Sequence, residues 1–326
     1  MGGLVALKQA LYRWGVLTPD RLPAPVIVVG NVMVGGVGKT PIVMALVEHL
    51  TRQGLRVGVV SRGYGRDAQD RQNHPIREVT SHSLAQQVGD EPLLIHTRCQ
   101  VPVWIGAQRA KVARALLAAH PDVQVIVSDD GLQHTALARD IELCVFDERG
   151  IGNGWLLPAG PLREPWPRSA AATPTHRFEL NTSAPELAFA KQAFSVQRRL
   201  SGVAYQANGT QRALQHWQHQ PAQALAGIAK PQVFFNMLQA QGVQLTNTIP
   251  LPDHASTEQL NAALAHIQAN PTDVLCTEKD AIKLWPTMHK VWAVPLVVDL
   301  PQALLDALQK ALSTLVKHPS HTASPN

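Results

Sequence analysis

Apolar residues come in two rhythms along this chain. Residues 25–31 (PVIVVGN), 55–65 (LRVGVVSRGYG), 101–106 (VPVWIG), 123–131 (VQVIVSDDG) and 141–150 (IELCVFDERG) contain short, largely β-branched apolar runs. Continuous runs of this kind predict parallel strands buried on both faces, since a strand with one wet face would alternate with polar residues. Between them, 40–54 (TPIVMALVEHLTRQG) and 107–120 (AQRAKVARALLAAH) space their apolar residues by three and four, the period of a helix. Gly54 closes the first of these helices. Strand and helix alternating in this way predict an α/β fold, a doubly wound sheet whose functional loops gather at the carboxyl ends of its strands.

From about residue 165 to 215 the texture changes. Proline, alanine, glutamine and histidine dominate, and 195–206 (SVQRRLSGVAYQ) reads as an isolated strand or hairpin. Beyond it, 223–242 (QALAGIAKPQVFFNMLQAQG), 274–284 (VLCTEKDAIKL), 291–300 (VWAVPLVVDL) and a helix near 301–316 predict a second, smaller α/β unit. The expected division is a core domain over residues 1–170, a connection over 171–215 and a smaller C-terminal domain over 216–326, ending in a frayed tail. At the other end, 3–17 (GLVALKQALYRWGVL) has helical periodicity, with Leu4, Leu7, Leu11 and Trp14 on one face and Lys8, Gln9, Tyr12 and Arg13 on the other. Such an amphipathic helix either packs on its own domain or lies on a membrane surface, apolar side down.

Composition narrows the field. The 326 residues are 45% hydrophobic and 16% charged, which is the make-up of a folded protein of up to two domains. A formal charge of +5 and a pI of 9.3 favour anionic partners such as nucleotide phosphates or acidic lipid head groups. Nucleic acid is not expected as a partner, because aromatics are only 5% and no basic arm or zinc-finger spacing occurs. Cys99, Cys144 and Cys276 are odd in number and far apart, as reduced thiols of a cytosolic protein would be. No apolar run reaches the roughly 18–20 residues that span a bilayer, and no signal peptide is recognisable. The expected location is therefore cytoplasmic, with contact to a membrane surface left open.

The candidate chemistry begins at 28–41 (VVGNVMVGGVGKTP). A phosphate-binding loop reads G-x-x-x-x-G-K-[ST] between a strand and a helix, and Gly38, Lys39 and Thr40 satisfy its end. Its first glycine is replaced by Met33. Consecutive N–H groups of Val34, Gly35, Gly36, Val37, Gly38, Lys39, Thr40 and Pro41's neighbours can still form an anion cradle at a helix N-terminus. Lys39 then faces the β/γ-phosphates and Thr40 a Mg²⁺ ion. ATP is favoured over GTP. A guanine-reading N-K-x-D is missing, and Thr277–Glu278–Lys279–Asp280 only imitates it; Val34 stands where partition-type ATPases carry a lysine. Asp129 and Asp130 close a buried strand beside this loop, the position of a metal-contacting carboxylate. Gly89–Asp90–Glu91–Pro92 offers two carboxylates that also suit a helix start, with Asp90 as N-cap. Asp253–His254 is an acid–imidazole pair that also suits a turn.

Eight segments occur in fixed order over nearly the whole chain: GNVMVGGVGKTP, SRGYGR, VGDEPLL, DDGLQH, RGIGNGWLLPAGPLREP, AGIAKPQVFF, LPDHAS and TEKDAIK. With these the sequence closely resembles the tetraacyldisaccharide 4'-kinases of lipid A biosynthesis. The resemblance implies a P-loop core joined through a β-ribbon to the smaller domain, and transfer of the ATP γ-phosphate to an acylated glucosamine disaccharide 1-phosphate. It further implies attachment to the cytoplasmic face of the inner membrane; a monomer is expected. By the same resemblance Asp90 is the base for the sugar hydroxyl, with His254 as its partner. Lys39 and Thr40 bind phosphate and Mg²⁺, and Asp129 and Asp130 form the acidic pair. Glu91, Tyr64, Arg109, Gln133, Arg163 and Glu164 are implied as further active-site residues, Glu91 as a possible metal contact. Met33, Val37, Gln108, Ala229–Lys230 and Ala255 depart from the family's usual residues; Met33 and Val37 imply that side chains there are not essential to phosphate binding. The alternatives are a switch ATPase driven by hydrolysis and a soluble small-molecule kinase.

Overall fold

Val26–Gly30 (β1) is buried at every position, and it occupies the middle of a sheet. The computed structural model describes residues 12, 17–167, 176–183, 193–253, 255, 259, 262, 263, 265, 272–286, 288 and 290–316. Around β1 lie Val57–Ser61 (β2), Ile76–Val79 (β3), Val103–Gly106 (β4), Val125–Asp129 (β5), Ile141–Phe146 (β6), His176–Asn181 (β7) and Phe194–Ser195 (β8). Their order is β3-β4-β2-β5-β1-β6-β7-β8, parallel throughout except for the β3–β4 edge pair. Alternate residues of the central strands feed two separate cores, as the side-chain period of two requires. Ile27, Val29, Val57, Val59, Val125 and Val127 face one layer, with Ile42, Val43, Leu46 and Leu50 of Lys39–Arg52 (α1). Val26, Val28, Ile126, Cys144 and Phe146 face the other.

Four more helices complete this unit: Ala68–Asn73 (α2), Ala85–Val88 (α3), Asp90–Cys99 (α4) and Arg109–Ala119 (α5). Helices α1 and α5 cover opposite faces of the sheet, the doubly wound arrangement in which functional loops gather beyond the carboxyl ends of the strands.

The strands of the second sheet are Val203–Tyr205 (β10), Gln211–Ala213 (β11), Ala222–Ala226 (β12), Leu245–Pro250 (β13), Val274–Thr277 (β14) and Trp292–Val294 (β15). They run in the order β11-β10-β15-β14-β12-β13. Trp217 and Trp292 are buried edge to face in its core, 5.3 Å between centroids. Pro231–Ala240 (α6) and Glu278–Leu284 (α7) pack against it, and Gln302–Val316 (α8) ends the described chain. Gln197–Leu200 (β9) and Leu296–Asp299 (β16) form a separate two-stranded antiparallel ribbon, with Leu200 opposite Leu296.

The sheets do not follow the expected boundaries. β7 and β8, placed by sequence in the connection over 171–215, extend the first sheet, while β10 and β11 belong to the second. The 195–206 stretch is no hairpin: β9 pairs with β16 and β10 with β11 and β15. The C-terminal helix α8 also returns to the first unit, where Leu304, Leu308, Ala311 and Leu312 join the core under α1. Except for Tyr12 and Leu17, the predicted amphipathic helix at 3–17 lies outside the described residues, as does the tail after Val316. Among the described residues no helix is long and apolar enough to cross a membrane.

The two units meet where α4 packs on α7. Arg98, near the end of α4, reaches Glu48 of α1 at 2.9 Å, Glu278 of α7 at 2.8 Å and the Leu296 carbonyl of the ribbon at 3.1 Å. The Tyr205 hydroxyl donates to the same Glu278 at 3.0 Å.

Candidate active site

The loop after β1 is braced from several sides, which explains how it manages without its first glycine. The Asn31 amide donates to the Met33 carbonyl at 2.8 Å. Val34 N–H donates to Pro161 O at 3.0 Å and Arg163 N–H to Val32 O at 2.7 Å, so residues 161–163 run alongside the loop. Met33 is only 3% exposed, with its side chain in the core beside Leu162, and Val37 is buried in the opposite core. Both side chains point away from the cradle and hold its walls. Gly38 stands at φ 77°, the left-handed conformation that glycine enters freely, and starts α1 with no side-chain cap. The first-turn N–H groups of α1 are thereby left for an anion, with the positive end of the helix dipole behind them.

Lys39 folds back across this mouth. Its ammonium donates to Asn31 Oδ1 at 3.2 Å and lies 3.3 Å from Asp130. Thr40 is buried beside it on the first turn of α1. Asp129 ends β5 fully buried; one oxygen accepts from Ser61 Oγ at 3.2 Å, while Oδ1 has no hydrogen-bond partner among the described residues. Burial pushes its pKa up, and the neighbouring charges of Glu91 and Asp130 push the same way. Asp130 goes the other way. Burial raises it, but Lys39 and Arg163 (3.7 Å) outweigh that and hold it below the usual carboxylate range. At φ 46° it is one of the described non-glycine residues in left-handed backbone, a strained placement that turns its carboxylate towards Lys39.

Arg109 opens α5 almost completely buried. One nitrogen donates to Gly106 O at 2.5 Å, and Nε and Nη2 have no partner among the described residues. Burial brings its pKa down to about 10, with Asp129 and Asp130 opposing. A buried guanidinium with two free donors beside two carboxylates is built to receive an oxyanion. Gln133 ties the rim together, donating to Asn31 O and to the buried Glu164, both at 2.9 Å. Tyr64 is 60% exposed on the loop after β2.

Asp90 comes from a different direction. Gly89, at φ 89°, lies so close to the Tyr64 carbonyl that a Cβ there would be 2.5 Å from it. This tight approach brings the start of α4 against the loop after β2. Gly89 is the N-cap and Asp90 the first helical residue, so the helix starts one position earlier than expected. Asp90 is 5% exposed, and its Oδ1 accepts from Glu91 N–H at 3.0 Å. Its Oδ2 lies 3.2 Å from Lys283 and 3.8 Å from Lys279, both on α7. Lys279 also pairs with Asp253 at 2.7 Å and Glu91 at 3.8 Å. Since Glu91 raises the pKa of Asp129, the Asp90–Glu91 corner and the Asp129–Asp130 pair share one electrostatic site. His254 lies outside the described residues.

Sequence reasoning gave no site role to six residues that stand at or beside it. Lys279 and Lys283 were legible as an i, i+4 pair on one helix face, but nothing local says what that face meets. Arg198, on the ribbon, has Nη1 only 3.0 Å from where a Gly38 Cβ would stand, and donates to Thr182 O at 3.2 Å. Arg149 donates to Val34 O at 3.1 Å while paired with Asp147. From the second unit, Ala229 approaches Gly36 and Lys230 pairs with Glu148.

Among the described residues no three His, Cys, Asp or Glu side chains converge on a metal-sized point. The donors do fit the way Mg²⁺ is held in phosphoryl-transfer sites, through one or two protein oxygens with phosphates and water supplying the rest. The unpartnered Asp129 Oδ1 is the oxygen such an ion would satisfy.

Comparison with known proteins agrees over nearly the full length. The family model "Tetraacyldisaccharide-1-P 4'-kinase" matches residues 1–313. A tetraacyldisaccharide 4'-kinase of Acidovorax ebreus (strain TPSY) is 48% identical over 318 residues, covering 96% of this chain and 88% of its own. One from Polaromonas naphthalenivorans (strain CJ2) is 48% identical over 324 residues, covering 97% and 89%. Among solved structures, LpxK from Aquifex aeolicus in complex with ATP superposes with a TM-score of 0.75 at 26% identity, covering 96% of this chain and 95% of that one.

Proposed function

The chain belongs to the tetraacyldisaccharide-1-P 4'-kinase family, and from that premise we propose how its own residues carry out the transfer. As a kinase of lipid A biosynthesis it is neither a switch ATPase nor a soluble small-molecule kinase. The observation that carries the residue assignment is the meeting of Lys39 with Asn31 and Asp130 at the mouth of the glycine cradle. ATP lies with its phosphates in the nest from Val34 to Pro41. Lys39 neutralises the β/γ-phosphates, and Arg109 offers its two free donors to the transferring group.

Mg²⁺ fits Thr40 and the Asp129–Asp130 pair, with Glu91 close enough to act on their charge. When bound, it offsets charge on the β- and γ-phosphates. The sugar hydroxyl is a weak nucleophile, so Asp90 accepts its proton as the new bond to phosphorus forms. His254, next to Asp253, is the proposed partner of that carboxylate. Glu164, fixed by Gln133, and Arg163, beside Asp130, line the acceptor side. Because Asp90 sits on α4 and its lysine partners on α7, the second unit closes the site and restricts water.

The acceptor is an acylated disaccharide, so the enzyme, a monomer in this reading, works at a lipid surface, on the cytoplasmic face of the inner membrane. The amphipathic 3–17 segment is the proposed anchor. The test uses purified protein, ATP labelled at its γ-phosphate and acceptor in detergent, with the product phosphate located on the sugar. Acceptor-dependent label at the 4' position supports the scheme. Rapid ATP hydrolysis with no labelled lipid sinks it.

A further inference from the structure

Five carboxylates crowd this site: Asp90, Glu91, Asp129, Asp130 and Asp253. In the first unit Lys39 and Arg163 lie against Asp130, and Arg109 acts on Asp129 and Asp130. Lys279 and Lys283, on α7 of the second unit, lie against Asp90. We propose that Lys279 and Lys283 are positioning residues for the reaction: paired with the same Asp90 oxygen, they hold the carboxylate aimed, so that the second unit orients a base carried by the first. This inference rests on the kinase reading above and adds to it a role for α7.

Three features support it. The lysines are placed by a stiff helix start and not by chance of a surface contact. Thr277 caps α7 by accepting from Asp280 N–H at 3.2 Å. Asp280, wholly buried, accepts from Thr277 Oγ1 at 2.6 Å and from Gly227 N–H at 2.9 Å. With α7 fixed, positions 279 and 283 fall one above the other, facing α4. Next, both ammonium groups are nearly out of water, with side chains 13% and 10% exposed. Burial alone would discharge Lys279, yet Asp90, Glu91 and Asp253 outweigh it and raise its pKa. Both lysines lie against the Oδ2 oxygen of Asp90, while its Oδ1 accepts from the Glu91 N–H, so the carboxylate is held at both oxygens. Finally, the lysine contacts sit at one end of the α4–α7 seam and the Arg98–Glu278 pair at the other, so the seam holds α4 along its length.

The test compares Lys283→Met, Lys283→Arg and Lys279→Met in the full chain, assayed with ATP and detergent-dispersed acceptor. Lys283→Met should lower kcat about 10- to 100-fold, the scale of a reacting group slightly misplaced. ATP affinity should stay as it was, since the cradle is untouched. Lys283→Arg should restore most of kcat, and Lys279→Met should lower kcat in the same direction as Lys283→Met. A lower thermal midpoint with kcat per folded molecule unmoved in both Met variants would reduce the lysines to structural glue and overturn the proposal. So would a loss of ATP binding with kcat preserved. Failure of the wild-type chain to phosphorylate the acceptor is a separate result and counts against the kinase reading itself.

Discussion

Replacing Arg98 by Met should break the seam between the two units in a pH-dependent way. The substitution keeps the length of the stem but removes a guanidinium that contacts Glu48, Glu278 and Leu296 O. Glu278 is then left in place with its carboxylate 5% exposed and the Tyr205 hydroxyl still donating to it. Removing one partner of a buried pair costs about 3–5 kcal/mol, because the remaining charge is stranded. Burial already raises the pKa of Glu278, and Arg98 is the main influence holding it down. Without Arg98 that pKa climbs further. A carboxyl whose folded pKa exceeds its unfolded value contributes stability below the unfolded pKa of about 4.3, and loses it as pH rises towards the folded value. The penalty should therefore be small near pH 4–5 and reach its full about 3–5 kcal/mol by about pH 8. Urea unfolding of Arg98→Met at both pH values measures it. Adding Glu278→Gln should recover much of the loss at the higher pH. An equal penalty at both pH values, with no recovery in the double variant, would refute the stranded-charge argument.

Other expectations are more local. Met33→Gly restores the strict loop pattern but empties a core position, so it should leave ATP affinity unchanged while lowering stability by about 2–5 kcal/mol in urea unfolding. Glu91→Gln removes a charge that raises the pKa of Asp129, so carbon NMR titration of the ATP-free protein should find Asp129 titrating at lower pH than in the wild type. An unmoved or higher value would mean Glu91 does not act there. Arg198→Ala should weaken ATP binding by about tenfold, the worth of one charge-assisted hydrogen bond, with little change in thermal midpoint. Unchanged affinity would leave Arg198 a strut between the ribbon and Thr182.

The first sheet was readable because its strands are buried on both faces and therefore written as unbroken apolar runs; β1, β2, β5 and β6 have no exposed position. β7 escaped notice for the opposite reason. Its HRFELN sequence is half-buried over four of six positions and carries charges, so neither rhythm marks it. Periodicity revealed that α8 has an apolar face but not which core would receive it, and the receiving core begins more than 250 residues earlier in the chain. The ribbon has the same character, since Leu200 finds its partner at Leu296. In the site, the residues set by local elements were legible: Lys39, Thr40, Asp129 and Asp130 each sit at a strand end or helix start. Lys279, Lys283 and Arg198 were not, because their roles come from how the second unit and the ribbon lie on the first, and no local pattern encodes that.

The account's central claim is that Asp90 serves the acceptor and not the nucleotide. Asp90→Asn keeps the size of the side chain and removes its ability to take a proton. Single-turnover transfer to the acceptor, measured with ATP binding on the same preparation, tests the claim directly. The account predicts a loss of about 10²- to 10⁴-fold in the transfer rate with ATP affinity intact, as expected for a positioned acid–base group. Near-normal transfer, or a loss that follows weakened ATP binding, would contradict it.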